Sequence, residues 1–248
     1  NKNILITGSS KGLGQALGRK ILTDDGLIKK YDHLIIHGSS KNSLTNGLFN
    51  LQKNTNGKVE ISGIVKDFNK VETEQLDEYI IQNNDAVLVK SHNTMKEFFK
   101  SSNIDEIILN HAVSNDSLIY NIKKEDVDAT FNVNIISYIN IVSDLLNVWF
   151  KQNLRKKDDK KIVTIGSVLN EKDIPIKGNM VYAMTKKNVE MLSKCIEWEY
   201  GERYPWLQSE HYNIPFLVDT DLVSNKELLS KMDINQDTVD NVSKLILK

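Results

Sequence analysis

The chain has 248 residues, with 32 basic and 33 acidic side chains and a formal net charge of −1. That length is ample for one large core. So balanced a charge excludes a global field that would draw the chain to nucleic acid or to an anionic membrane. Only Arg19, Arg155 and Arg203 are arginine, which argues against bidentate readers of phosphate or bases. Cys195 is the single cysteine, so no intrachain disulfide can form and a reducing compartment fits. With no cationic start and long apolar run, the expectation is a cytoplasmic protein without a signal peptide or spanning helix.

In chain order, β-rich apolar runs predict strands at Asn3–Thr7, His33–His37, Val59–Ile64, Glu106–Asn110 and Lys161–Gly166. Helical spacing predicts helices at Gln15–Leu22, near 43–54, at Val71–Gln82, from Glu125 to Gln152 and from Met180 to Tyr200. Strand–helix alternation implies βαβ units, hence an α/β fold with one doubly wound, Rossmann-like parallel sheet and helices on both faces. The three prolines all fall late and mark no linker, so residues 1–248 read as a single domain. Two stretches resist the pattern. Residues 84–103 read as an atypical insert. The sixth strand should fall near 209–217, where "SEHYNIPFL" is polar for a strand buried on both faces. The run 155–161, "RKKDDKK", reads as a solvated turn.

The opening "NILITGSSKGLG" puts a strand, a glycine turn and a helix in succession. Free N–H groups at such a helix start, with the helix dipole, attract a pyrophosphate. Gly8, Gly12 and Gly14 are spaced Gly-x3-Gly-x-Gly, which differs from the common dinucleotide fingerprint. By itself the loop leaves a cradle and a plain Gly/Ser turn both open. Downstream, Tyr182 and Lys186 stand at i and i+4 on one helix face. A neighbouring cation favours phenolate and would pull the tyrosine pKa down, suiting it to proton transfer with a carbonyl or alcohol oxygen. Ser167 ends the strand just before that helix, where ligands bind in open α/β sheets. Tyr120 and Lys124 share the Tyr-x3-Lys spacing but lack such a serine. His33, His37, His92, His111 and His211 show no metal spacing and read as structural or surface residues, so no metal is expected. Cys195 reads as a packed thiol.

Taken together, residues 3 to about 222 resemble the short-chain dehydrogenase/reductase family. "TGSSKGLG" (7–14) matches its Thr-Gly-x3-Gly-x-Gly loop, and Asp67-Phe68 matches the aspartate after the third strand. Asn110-His111-Ala112-Val113 resembles its Asn-Asn-Ala-Gly turn. Asn134, Ser167, Tyr182 and Lys186 match its catalytic tetrad, and Pro215–Thr220 its Pro-Gly-x-Val-x-Thr segment. The resemblance implies hydride transfer between a nicotinamide and a small carbonyl or alcohol substrate. Ser167 would bind the substrate oxygen and Tyr182 would act as general acid/base. Lys186 would lower the tyrosine pKa and bind the ribose, and Asn134 would hold a relay water. It further implies cofactor contacts from Gly8, Ser10, Lys11, Gly12, Leu13, Gly14, Asp67, Phe68, Asn110, Ala112, Val218 and Thr220.

No acid follows the second strand in "HGSSKN" (37–42), where NAD enzymes place one. Ser39, Ser40 and Lys41, with Lys11, would instead supply the cation and hydroxyl donors that a 2′-phosphate needs, pointing to NADP(H) over NAD(H). Helices 125–152 and 180–200 build the family's dimer face, so a homodimer or homotetramer is expected. Val113 and Phe216 stand where the family has glycine, and its final strand is not legible after 238–248. These departures keep a second reading open: an NADP-binding sensor or interaction protein with lost catalysis.

Overall fold

A computed structural model describes residues 1–55, 57–70, 75–168, 170, 177–217 and 236–248. Its elements are β1 (Lys2–Ile6), α1 (Gly12–Thr23), α2 (Asp25–Lys30), β2 (Tyr31–Gly38), α3 (Lys41–Gln52) and β3 (Glu60–Val65). Then come β4 (Leu76–Gln82), β5 (Asp85–His92), α4 (Met95–Ser102), β6 (Glu106–Leu109) and α5 (Lys124–Phe131). A π turn (Asn132–Ile136) leads into α6 (Ser137–Lys156), β7 (Lys160–Ser167), α7 (Met180–Tyr200) and β8 (Leu207–Ile214). Two short strands, β9 (Phe216–Leu217) and β10 (Gln236–Asp237), pair with each other before α8 (Val239–Ile246).

The main sheet runs β5-β4-β3-β2-β1-β6-β7-β8. From β3 to β8 every neighbour is parallel, as the alternation predicted. One core cluster joins Leu5, Ile35 and Ile107 to Phe98, Leu145, Trp149 and Val189, from α4, α6 and α7. On the opposite face Ile4, Ile6 and Ile36 pack against Leu17, Ile21, Leu48 and Val242, from α1, α3 and α8. Alternating strand side chains thus feed two helical layers. The central strands carry both faces in oil, which explains their unbroken apolar runs.

Two expectations are corrected, and the two stretches that resisted the pattern take definite form. Val71–Gln82 is not a helix: residues 76–82 are β4, antiparallel to β3, while 71–74 lie outside the described residues. The insert near 84–103 is structured as β5, antiparallel to β4, and the short helix α4. Asn83 and Asn84 link the hairpin at φ +50° and +60°, the left-handed pair that a tight two-residue turn requires. The sheet is therefore mostly rather than wholly parallel. The polar sixth strand is real, as β8, but it is the sheet edge among the described residues and its side chains are mostly half-buried. An edge strand needs no continuous apolar run.

The long helical run expected over 125–152 is broken by the π turn. Of its most apolar 18-residue window within Lys124–Arg155, long and apolar enough to cross a membrane, 61% is buried inside the fold. The charge run is only partly solvated. Lys160 is buried, pairing with Asp105 at 2.6 Å. Cys195 is exposed on α7 rather than packed.

Candidate active site

β1 ends at Ile6 and the chain turns at Gly8 (φ +61°) and Gly12 (φ +58°), left-handed positions that suit glycine. A Cβ on Gly8 would lie 2.6 Å from His111 Cα, so the loop also needs the missing side chain to pass beneath β6. Asn110 fixes the turn, its Nδ2 donating to the carbonyls of Thr7 (3.1 Å) and Gly8 (3.0 Å). Ser9 ties it to β2 in both directions: its N–H donates to His37 O, and its Oγ accepts from His37 N. α1 then starts at Lys11 without a side-chain cap. The amides of its first turn are left for a ligand, as an anion site at a helix start demands.

A cavity of about 690 Å³ opens over this loop. Gly8, Ser10, Lys11, Gly12, Leu13, Ser39, Asp67, Phe68, Asn110 and Ala112 line it, as do Tyr182 and Lys186. The glycine loop and the Tyr–Lys pair, more than 160 residues apart in sequence, therefore share one cavity. Gly14 lies outside the wall; a Cβ there would press on Ser9 Cα and on Gly8 O, so its smallness serves the packing of α1 on the loop. Ser40 and Lys41, expected at a 2′-phosphate, are not among the residues lining the cavity and have local contacts. Ser40 caps α3 in a reciprocal box with Ser43, and the Lys41 amine sits 5.3 Å over the Tyr79 ring of β4. Lys11 and Ser39 remain on the wall. Val218 and Thr220 lie outside the described residues.

Asn134 sits in the π turn and is 1% exposed. The extra residue of the turn rotates it inward. There its Oδ1 accepts from Val113 N (2.8 Å), and its Nδ2 donates to Val113 O (2.9 Å) and Thr185 Oγ1 (3.0 Å). Its side chain thus clamps the Val113 backbone to α7 between Tyr182 and Lys186. Ser167 closes β7; its neighbour Gly166 lines the cavity, while Ser167 itself is not among the lining residues. Lys186 is 3% exposed and its Nζ donates to Ile165 O at 2.9 Å. Burial pushes its pKa down to about 8. Its Nζ lies 5.6 Å from the Tyr182 ring centroid. The tyrosine pKa is nonetheless raised, the reverse of the sequence expectation, because burial penalises the phenolate. The phenol is therefore held protonated at neutral pH.

Sequence reasoning missed three wall residues. His37 and His111 are buried in the floor, where Phe68 stacks on His111 at 4.3 Å and lies 4.6 Å from His37. His111 Nδ1 meets Thr7 Oγ1 at 2.7 Å and Nε2 meets Ser137 Oγ at 2.7 Å. Lys66, 8% exposed at the end of β3, also lines the cavity. The only signal for these was their place at or just past strand ends, where open α/β sheets gather ligands.

The strand order and the glycine loop facing a Tyr–Lys pair define an α/β oxidoreductase class. A sequence profile described as short chain dehydrogenase matches residues 2–226, and the chain belongs to that family, whose members use nicotinamide cofactors. It is 24% identical over 199 residues to 3-oxoacyl-(acyl-carrier-protein) reductase FabG of Buchnera aphidicola subsp. Acyrthosiphon pisum, covering 80% of this chain and 67% of that protein. Its fold is similar to a short-chain type dehydrogenase/reductase from Mycobacterium ulcerans (TM-score 0.74, 16% identity, 100% of this chain and 82% of that one). It is similar also to a short-chain dehydrogenase from Sphingobium yanoikuyae in complex with NADPH (TM-score 0.74, 16% identity, 100% and 83%).

Proposed function

We propose that this chain is a single-domain NADP(H)-dependent carbonyl reductase or alcohol dehydrogenase. The observation that carries the reading is the shared cavity: Tyr182 and the buried Lys186 face the same space as Gly8 and Gly12. The residues fit a dinucleotide. The uncapped start of α1 and the glycine turn would hold the pyrophosphate, Asp67 and Phe68 the adenine, and Lys11 with Ser39 the 2′-phosphate. Bound there, the nicotinamide supplies or accepts the hydride. The Sphingobium relative, solved with NADPH, supports the cofactor choice.

In the reducing direction Tyr182, kept protonated by burial, donates to the substrate oxygen as charge grows on it. Ser167, at the carboxyl end of β7, gives that oxygen a second hydrogen bond. With a dinucleotide bound, Lys186 would hold a ribose hydroxyl and would return a proton to Tyr182, a task eased by a pKa of about 8. Asn134 fixes the floor between them through Val113 and Thr185.

The experiment is NADPH oxidation against aldehydes, ketones and diketones, with Tyr182→Phe as control. Turnover by the wild type, lost in the variant, supports the reading. NADPH binding without turnover across the panel favours a sensor. The assembly we propose is a homodimer or homotetramer through the outer faces of α5–α6 and α7, where Ile139, Met184, Met191 and Trp198 are exposed. The exposed Cys195 fits a reducing, cytoplasmic setting.

A further inference from the structure

One face of the β7–β8 pair carries polar groups unused by the mechanism above. Thr164 and Gly166 on β7 stand in register with His211 and Asn213 on β8. A side chain at Gly166 would strike both: its Cβ would fall 2.6 Å from His211 Cε1, and closer still to His211 Nε2 and Asn213 Oδ1. The imidazole and the amide therefore fill the space immediately behind the Ile165–Gly166 peptide. The carbonyl of that peptide takes the Lys186 ammonium at 2.9 Å.

The protons in this network are fixed by the groups that can only donate or only accept. Asn170 Nδ2 donates to the Lys186 carbonyl (3.1 Å) and to Asn213 Oδ1 (3.1 Å). Since Asn213 Oδ1 accepts, His211 donates to it from Nε2 at 3.0 Å. His211 Nδ1 is then an acceptor for the Thr164 hydroxyl at 2.8 Å. The imidazole is neutral, and burial lowers its pKa. Glu190 and Lys194 act on it from α7 together with Lys186, and Glu210 precedes it on β8. Apart from Lys186, whose ammonium meets a carbonyl, these charges are paired, Lys194 with Glu190 at 2.7 Å and Glu210 with Lys161 at 2.8 Å. Lys186 is thus held at both ends, its ammonium by Ile165 and its own carbonyl by Asn170.

We propose that His211, acting through Asn213 and Asn170, is a positioning residue that keeps Lys186 fixed and dry behind the reaction centre. The proposal rests on the reading of Lys186 as a catalytic group. If it is removed, water enters behind Gly166 and the ammonium is resolvated. The test is an NMR titration of protein labelled with ¹³Cε-lysine, the Lys186 signal being assigned by its loss in Lys186→Arg. Wild-type Lys186 should titrate near 8 rather than 10.5. In His211→Ala its proton affinity should rise about tenfold or more, one pH unit. His211→Gln, which offers an amide donor to Asn213 and a carbonyl to Thr164, should restore the wild-type value. Asn213→Ala, which cuts the link while keeping the imidazole, should behave as His211→Ala and decides the matter if that variant does not fold. A folded His211→Ala or Asn213→Ala in which Lys186 titrates as in the wild type overturns the proposal. Lys186→Met with undiminished NADPH oxidation would remove the catalytic reading while leaving the titration result standing.

Discussion

Gly8 donates its backbone N–H to Nδ1 of His37 at 2.9 Å, so the first glycine of the phosphate loop is bonded to a side chain at the end of β2. The other ring nitrogen, Nε2, donates to Lys66 O at 2.8 Å. One neutral imidazole thereby joins β1, β2 and β3 at the cavity floor. A second proton on it would face the Gly8 N–H and break the joint.

This predicts acid lability. Burial lowers the His37 pKa to about 4, and the His111 pKa moves in the same direction. The unfolded chain, with its histidines near 6.5, binds protons that the folded one refuses. Stability is therefore full above pH ~6.5 and is lost as pH falls towards ~4, by about 3 kcal/mol for His37. Denaturant unfolding across that window should show the loss. His37→Leu, weaker at neutral pH, should show a shallower slope.

Gly8→Ala should be far worse than Gly57→Ala. Both positions have positive φ, +61° and +77°, and a Cβ costs about 1–2 kcal/mol in that region. At Gly57 nothing lies within 4 Å, whereas at Gly8 the Cβ meets His111 Cα at 2.6 Å. Thermal melts should show a small drop for Gly57→Ala. For Gly8→Ala the drop should be several-fold larger, and NADPH affinity should fall at least about tenfold, ~1.4 kcal/mol.

Lys11 and Ser39 line the cavity, whereas the Lys41 amine lies 5.3 Å over the Tyr79 ring. Lys41→Ala should weaken NADPH less than Lys11→Ala does, because the Lys41 amine already lies over the Tyr79 ring. Lys11→Ala should weaken NADPH about tenfold while sparing NADH, and calorimetry with both cofactors reads the difference.

At the far end of the sheet Glu106, 4% exposed, accepts from Tyr31 Oη (2.5 Å), Lys2 (2.9 Å) and Lys30 (3.1 Å). Its pKa is depressed despite burial by these partners. Glu106→Leu should cost about 2–3 kcal/mol, less than a fully dry pair because both lysines reach water. Most of that loss should persist in high salt.

What was legible in the sequence follows from where the physics is local. The central strands announced themselves because burial on both faces demands unbroken apolar runs, as in Ile4–Ile6 and Leu34–Ile36. Tyr182 and Lys186 were found because helical spacing puts them on one face and Ser167 ends the strand just before, which the Tyr120–Lys124 pair lacks. The β4–β5 hairpin was misread because Leu76, Tyr79 and Ile80 suit a helical period as well as a strand. The decisive signal was the Asn83–Asn84 turn. Ser40 and Lys41 read as phosphate ligands in sequence, where their contacts at the start of α3 and with a ring on a strand not foreseen were not legible. The direction of the Tyr182 shift was invisible because it is set by burial, a tertiary property.

The central claim is that Tyr182, presented to the same cavity as the glycine loop, moves the proton in a nicotinamide-dependent carbonyl reduction. Its most direct test is the rate of NADPH oxidation with a reactive diketone, measured for wild type and Tyr182→Phe at equal NADPH saturation. The account predicts turnover by the wild type and a fall of about 10²–10⁴-fold in the variant, with NADPH affinity retained. Equal rates in the two proteins would contradict it.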